Sequence, residues 1–141
     1  MIVNTGHVSF FVHNMDRMLH FYAIILGMKQ KSNYTGEDGD RRICLELADH
    51  QYIELINPAR VLTAAPVVNN YYGYQKVCFE VEDAAAAFAE LIEKGVTPDS
   101  EVRMTVDYAY AFNLTDPEGN YLEIVEYTPA ALQLQPDRKG D

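Results

Sequence analysis

The sequence predicts an α+β protein built from two tandem β-α-β-β-β modules, and two observations predict it. First, the chain repeats itself at a constant offset. His7-Val8-Ser9-Phe10-Phe11-Val12 lines up with Lys76-Val77-Cys78-Phe79-Glu80-Val81, and Tyr52-Ile53-Glu54-Leu55-Ile56 with Tyr121-Leu122-Glu123-Ile124-Val125, each 69 positions on. A repeat of this size means two copies of one supersecondary unit. Second, each copy passes from a period of two to helical spacing and back to a period of two.

Each element has a local reason. In His7 to Val12, Val8, Phe10 and Val12 alternate with His7, Ser9 and Phe11, the mark of a strand with two unlike faces. Asn14 is placed to cap a helix over Met15 to Leu26, with Met18, Leu19, Tyr22, Ile25 and Leu26 at helical spacing and Gly27 closing it. A strand is expected near Lys29 to Tyr34. Arg42 to Ala48 and Gln51 to Ile56 then flank Asp49-His50 as a hairpin. The second copy repeats the plan. Lys76 to Val81 is a strand, Asp83 caps, Ala84 to Lys94 is an alanine-rich helix and Gly95 closes it. A strand is expected near Pro98 to Thr105. Tyr108 to Leu114 and Asn120 to Tyr127 flank the turn Asp116-Pro117-Glu118-Gly119. The boundaries expected are a single domain over 1–127, with module one 1–58, linker 59–73 and module two 74–127. A polar tail over 128–141 is expected to be mobile or docked on a partner.

Composition narrows the function classes. Apolar residues make up 48% of the 141-residue chain and charged residues 23%, as in an ordinary globular domain able to bury its own core. The net charge of −10 argues against nucleic acid and anionic membrane partners, which are recognised through basic patches. No apolar run reaches the roughly 20 residues of a membrane span, and the chain opens into an amphipathic strand, so neither an anchor nor a signal peptide is expected. Cys44 and Cys78 lie in strands of different modules and are expected as reduced thiols in a cytoplasmic protein. Phosphate loops, nucleophile elbows and zinc-finger spacings do not occur.

The residues that carry chemistry stand at equivalent places in the two copies. If Val8, Phe10 and Val12 pack under the first helix, His7 faces the other way; by the same parity Lys76 faces away from the second helix. Glu54 and Glu123 lie in mid-strand within apolar runs, where a carboxylate is unfavourable unless paired, hydrogen-bonded or metal-bound. Ser9, Phe11 and Cys78 share that open face and are candidate lining residues. Tyr71, Tyr72, Tyr74, Tyr108 and Tyr110 form an aromatic concentration suited to a ligand wall or a dimer contact. His13, His20 and His50 are expected at solvated positions.

Gly6-His7-Val8-Ser9-Phe10 and Asp116-Pro117-Glu118-Gly119-Asn120-Tyr121-Leu122-Glu123 carry a family resemblance. The chain resembles the vicinal oxygen chelate superfamily of glyoxalases, bleomycin resistance proteins and extradiol dioxygenases, and within it lactoylglutathione lyase-type proteins most. The resemblance spans Met1 to Tyr127. It implies a curved mixed-sheet cup around a divalent metal, with four ligand slots at His7, Glu54, Lys76 and Glu123. The third slot usually holds His. Lys76 departs from that pattern, because an ammonium has no lone pair to donate.

Two readings follow from the resemblance. In the first, His7, Glu54 and Glu123 hold a divalent metal (Zn, Ni, Mn, Co or Fe). The protein is then a glyoxalase-like lyase or isomerase acting on a small carbonyl substrate through an enediolate, with Glu123 as general base. In the second, there is no metal. Lys76 neutralises the glutamates, and the protein binds a small molecule as the antibiotic-sequestering relatives do. An extradiol-type dioxygenase is a weaker third, since Lys76 stands where its second His is needed. A homodimer is expected, with the site within one chain or shared across two.

Overall fold

The computed structural model describes residues 1–63 and 72–136. The chain divides into two units, Met1–Val68 and Asn69–Asp141. Each contains one four-stranded sheet and one helix, the β-α-β-β-β plan expected from the repeat. Pro66, Asn69-Asn70 and Tyr71 of the expected linker, and the end of the expected tail, lie outside the described residues.

In unit one, β1 (His7–Phe11) leads to Asn14, whose side chain accepts from the Arg17 amide at 3.0 Å and starts α1 (Met15–Leu19). The helix continues as a π-helical stretch, His20–Ile25, and turns at Gly27 with φ +78°. The helix is therefore not regular to Leu26 as its spacing suggests. Phe21 and Tyr22 are adjacent and both buried, whereas Leu19, Ile25 and Leu26 are half-buried. A wider turn lets two consecutive rings reach the sheet, where Tyr22 stacks on Phe10 at 5.9 Å.

The chain then forms β2 (Lys29–Thr35), β3 (Arg41–Ala48) and β4 (Gln51–Asn57), in the sheet order β1-β4-β3-β2. β1 runs parallel to β4, with Ser9 opposite Glu54, and the other pairs are antiparallel. Ile43, Leu45, Ile53 and Leu55 are fully buried with the helix layer. Alternation leaves His7, Ser9, Phe11, Arg42, Cys44, Tyr52, Glu54 and Ile56 on the opposite, open face.

Unit two follows the same plan. β5 (Val77–Glu80) leads to Asp83, which caps α2 (Ala84–Glu93) by accepting from the Ala86 amide at 2.9 Å. β6 (Arg103–Met104), β7 (Ala109–Thr115) and β8 (Tyr121–Tyr127) complete the order β5-β8-β7-β6, with β5 parallel to β8 and Cys78 opposite Glu123. The strand expected near Pro98 to Thr105 shrinks to two residues. Ahead of it, Ser100 Oγ accepts from the Asn113 amide and the Asp99 amide donates to the Asn113 carbonyl, so a loop occupies the edge of β7. The turn before β8 is held by Asp116, whose Oδ1 accepts from the amides of Glu118 and Asn120. Beyond β8 the chain folds back on its own unit. Ala131 is fully buried, the Leu132 amide donates to the Asp107 carbonyl, and a 3-10 turn spans Leu132–Leu134.

The repeat extends to backbone conformation. Gly39 and Tyr108, again 69 positions apart, both take positive φ, +82° and +64°, just before a strand. At position 39 the chain uses the residue that tolerates this region. An added Cβ there meets the Ala59 Cβ at 3.1 Å. Gly39→Ala is expected to lose about 1–2 kcal/mol in urea unfolding. An unchanged midpoint would contradict the strained geometry.

Candidate functional site

Each of the two parallel strand pairs sets a mid-strand glutamate among polar side chains within its own unit. In unit one, β4 holds Glu54 in mid-strand and β1 carries its partners on the same face. Ser9 Oγ donates to Glu54 Oε2 at 2.9 Å, and His7 Nε2 stands 3.7 Å from the same oxygen. The side chains of His7 and Glu54 are 56% and 21% exposed, so this pair faces solvent and is open to a ligand. Cys44, opposite Glu54 on β3, has its thiol pushed up by desolvation and then by the Glu54 charge.

In unit two the equivalent positions carry different chemistry. Lys76, one residue ahead of β5, donates to Glu123 Oε2 at 2.7 Å. Cys78 Sγ approaches Glu123 Oε1 at 3.7 Å. Lys76 and Glu123 are 36% and 16% exposed, so the ion pair is only partly desolvated. The Cys78 thiol is pushed up to about 11, by desolvation first and then by the charge and hydrogen bond of Glu123. Asp107 lies near enough to feel the Lys76 charge. Its carboxyl is held below the usual range mainly by hydrogen bonds from the Thr105 hydroxyl and the Gln133 amide, with Lys76 contributing less. Ala109, Ala111 and Val125 form a buried patch with Tyr127 against it.

The structure thus brings His7, Ser9 and Glu54 together in one unit, and Lys76, Cys78 and Glu123 in the other. Among the described residues, neither unit gathers three His, Cys, Asp or Glu side chains into a metal-binding group. The donors of unit one suit a divalent cation. In unit two a cation reaching Glu123 has to displace an ammonium already bonded to it.

Tyr110 does not share the Glu123 face. Asn113 pairs with Glu123, so alternation puts Tyr110 with Phe112 and Leu114 on the helix side. Sequence reasoning grouped it with Tyr108 by residue type rather than by parity. Tyr108 precedes β7, half-exposed, and its carbonyl accepts from the Thr128 hydroxyl at 2.5 Å. Tyr72 and Tyr74 are exposed. Sequence reasoning missed Arg60 and Asp107. Both lie outside periodic segments, so no pattern marked them. Arg60 places its guanidinium 5.1 Å from the Phe11 ring centroid.

A family model for the Glyoxalase/Bleomycin resistance protein/Dioxygenase superfamily matches residues 4–124. The chain belongs to this superfamily. A catechol-2,3-dioxygenase of Bacillus subtilis (strain 168) is 26% identical over 141 residues, covering 96% of this chain and 45% of that protein. The chain therefore spans about half the length of that curated relative. Among solved structures, a glyoxalase family protein from Enterococcus faecalis superposes with a TM-score of 0.75 at 23% identity, covering 87% of this chain and 97% of the other. TnmS3, an antibiotic-binding protein from Streptomyces sp. CB03234, gives a TM-score of 0.73 at 20% identity, covering 90% and 98%. At such identities these structures establish the glyoxalase-like α+β fold with two modules. No helix among the described residues is long and apolar enough to cross a membrane.

The Cys78 thiol offers a direct probe of the Glu123 surroundings in unit two. In a metal-free Cys44→Ser background, alkylation by iodoacetamide is expected to rise with a midpoint near pH 11, well above the ordinary thiol value of 9.0. Glu123→Gln lowers that midpoint without restoring the ordinary value, because desolvation remains. A wild-type midpoint at the ordinary value would contradict the geometry. The folded thiol keeps its proton to about 11 while the unfolded one releases it near 9.0, so stability falls with rising pH between those values.

Proposed function

We propose that this chain is a small-molecule-binding member of its superfamily in which Lys76 supplies the positive charge that a metal supplies in metal-dependent relatives. The observation that carries this reading is the 2.7 Å bond from Lys76 Nζ to Glu123 Oε2. A glutamate in that position needs a hydrogen-bond donor or a cation, and Glu123 has a cation supplied by the chain itself. The ligand side of unit one is the open face that carries His7, Ser9 and Phe11, and that of unit two is the sheet face that carries Cys78 and Glu123. A likeness in fold to an antibiotic-binding protein is consistent with this role. A homodimer in which the halves complete one another belongs to the same proposal.

A second reading is supported by the 3.7 Å approach of His7 Nε2 to Glu54 Oε2, two good donors side by side. Here His7, Glu54 and Glu123 hold a divalent metal, and the protein is a glyoxalase-like lyase or isomerase. The metal would polarise a substrate carbonyl. Glu123, freed from Lys76, would take the proton from the carbon beside that carbonyl, and the Lys76 ammonium would stay close to the developing charge. Dioxygenase chemistry of the extradiol type is less well supported, because the residue in the second-His position is Lys76.

Elemental analysis of tag-free wild type and Lys76→His decides between them. The first reading expects metal at near-stoichiometric levels only in Lys76→His, together with a metal-dependent rise in its Tm. Near-stoichiometric metal in the wild type would overturn it. In that case Glu123→Gln should cut kcat by about 10²–10⁴-fold while the circular dichroism spectrum is unchanged. Unaltered turnover would remove Glu123 as the base.

A further inference from the structure

Arg60 lies just past β4, outside every periodic segment, yet two unrelated contacts fix its position. Its guanidinium stacks 5.1 Å from the centroid of Phe11, a residue on the same face as His7 and Ser9. Its Nη1 reaches Asp40 Oδ2 at 3.4 Å. Asp40 is itself a built anchor: it is only 3% exposed, and its Oδ1 accepts from the Ala59 amide at 2.9 Å. Asp40 does not depend on Arg60, since the Arg42 guanidinium also stands 3.7 Å from its Oδ2.

Three of the other cations on these faces are committed. Arg42 is held by both oxygens of Asp38, Lys31 faces Glu46 at 3.3 Å, and Lys76 bonds Glu123. Arg60 differs. One long contact engages one of its five N–H donors, and its side chain is 58% exposed. A guanidinium aimed in this way, with a ring beneath it, presents a planar fork suited to a carboxylate. Phe11 lies two residues along β1 from Ser9, about 7 Å at the rise of a strand. A hydroxy or oxo acid carrying one ring spans that distance. In a chain of net charge −10, long-range attraction does not gather anions, so their capture needs a local cation of this kind.

We propose that Arg60 is the anion anchor of the ligand face in unit one, binding the carboxylate of a small organic acid whose apolar part lies along Phe11 toward Ser9 and Glu54. The inference rests on the reading of that face as the ligand side. It selects carboxylates over neutral analogues.

Mandelate and its neutral amide, titrated calorimetrically into the chelator-treated full chain, form the test. Wild type is expected to bind mandelate roughly tenfold more tightly than mandelamide, as one charge-assisted bidentate contact supplies. Arg60→Ala removes the preference by weakening mandelate binding about tenfold more than mandelamide binding, while Arg60→Lys keeps part of it. Equal binding of the two ligands by wild type, or a preference that survives in Arg60→Ala, overturns the anchor and leaves the ligand face standing. Binding of neither ligand by wild type overturns both.

Discussion

A carboxylate in the middle of a β-strand is the constraint on which the rest of this molecule turns. Each sheet places one, Glu54 or Glu123, on its central strand β4 or β8. Parallel pairing brings the first strand of the module alongside, so the same register that buries Phe10 and Phe79 also sets Ser9 against Glu54 and Cys78 against Glu123. A slip by one residue would turn the apolar set out and leave both carboxylates without partners. Packing and polar pairing thus select a single register, and that register is what creates an open face with chemistry on it.

The two copies satisfy the same constraint by different means. Unit one meets Glu54 with a hydroxyl at 2.9 Å and an imidazole at 3.7 Å, groups able to yield to a ligand or a cation. Unit two meets Glu123 with a full positive charge and a thiol whose proton is held by partial desolvation and by that carboxylate. The divergence runs further along the same face. Asp40 and Arg42 in the first copy become Ala109 and Ala111 in the second, both fully buried. Gly39 becomes Tyr108, which takes φ +64° at a cost of about 1 kcal/mol or more. The second copy has exchanged a charged, ion-paired end for a buried apolar patch, while its matched carboxylate is kept.

Most of this was legible in the residues. Alternation in His7 to Val12 gave the face of His7. The caps Asn14 and Asp83 and the closures at Gly27 and Gly95 located both helices, and the Asp116 turn located the last hairpin. What escaped was decided by tertiary contact. The π-helical stretch at His20–Ile25 follows from the need to bury Phe21 and Tyr22 together, which helical spacing alone does not reveal. The shortness of β6 follows from hydrogen bonds of Asp99 and Ser100 to Asn113, and Pro98 gave only a faint hint of it. Tyr110 lies on the helix side because strand parity, not residue type, sets its face. Arg60 carries no sequence signal, since its position depends on Asp40 and Phe11, both distant along the chain.

The claim that Lys76 serves as the cation of Glu123 is tested most directly by a double-mutant cycle on the metal-free protein. Urea unfolding of wild type, Lys76→Met, Glu123→Gln and the double variant yields the coupling energy. For a pair bonded at 2.7 Å and partly shielded from water, the account predicts a favourable coupling of about 1 kcal/mol. The double variant should then be more stable than the sum of the single losses implies. Additive losses would mean that Lys76 and Glu123 do not act as a pair, and the tethered-cation account would fall.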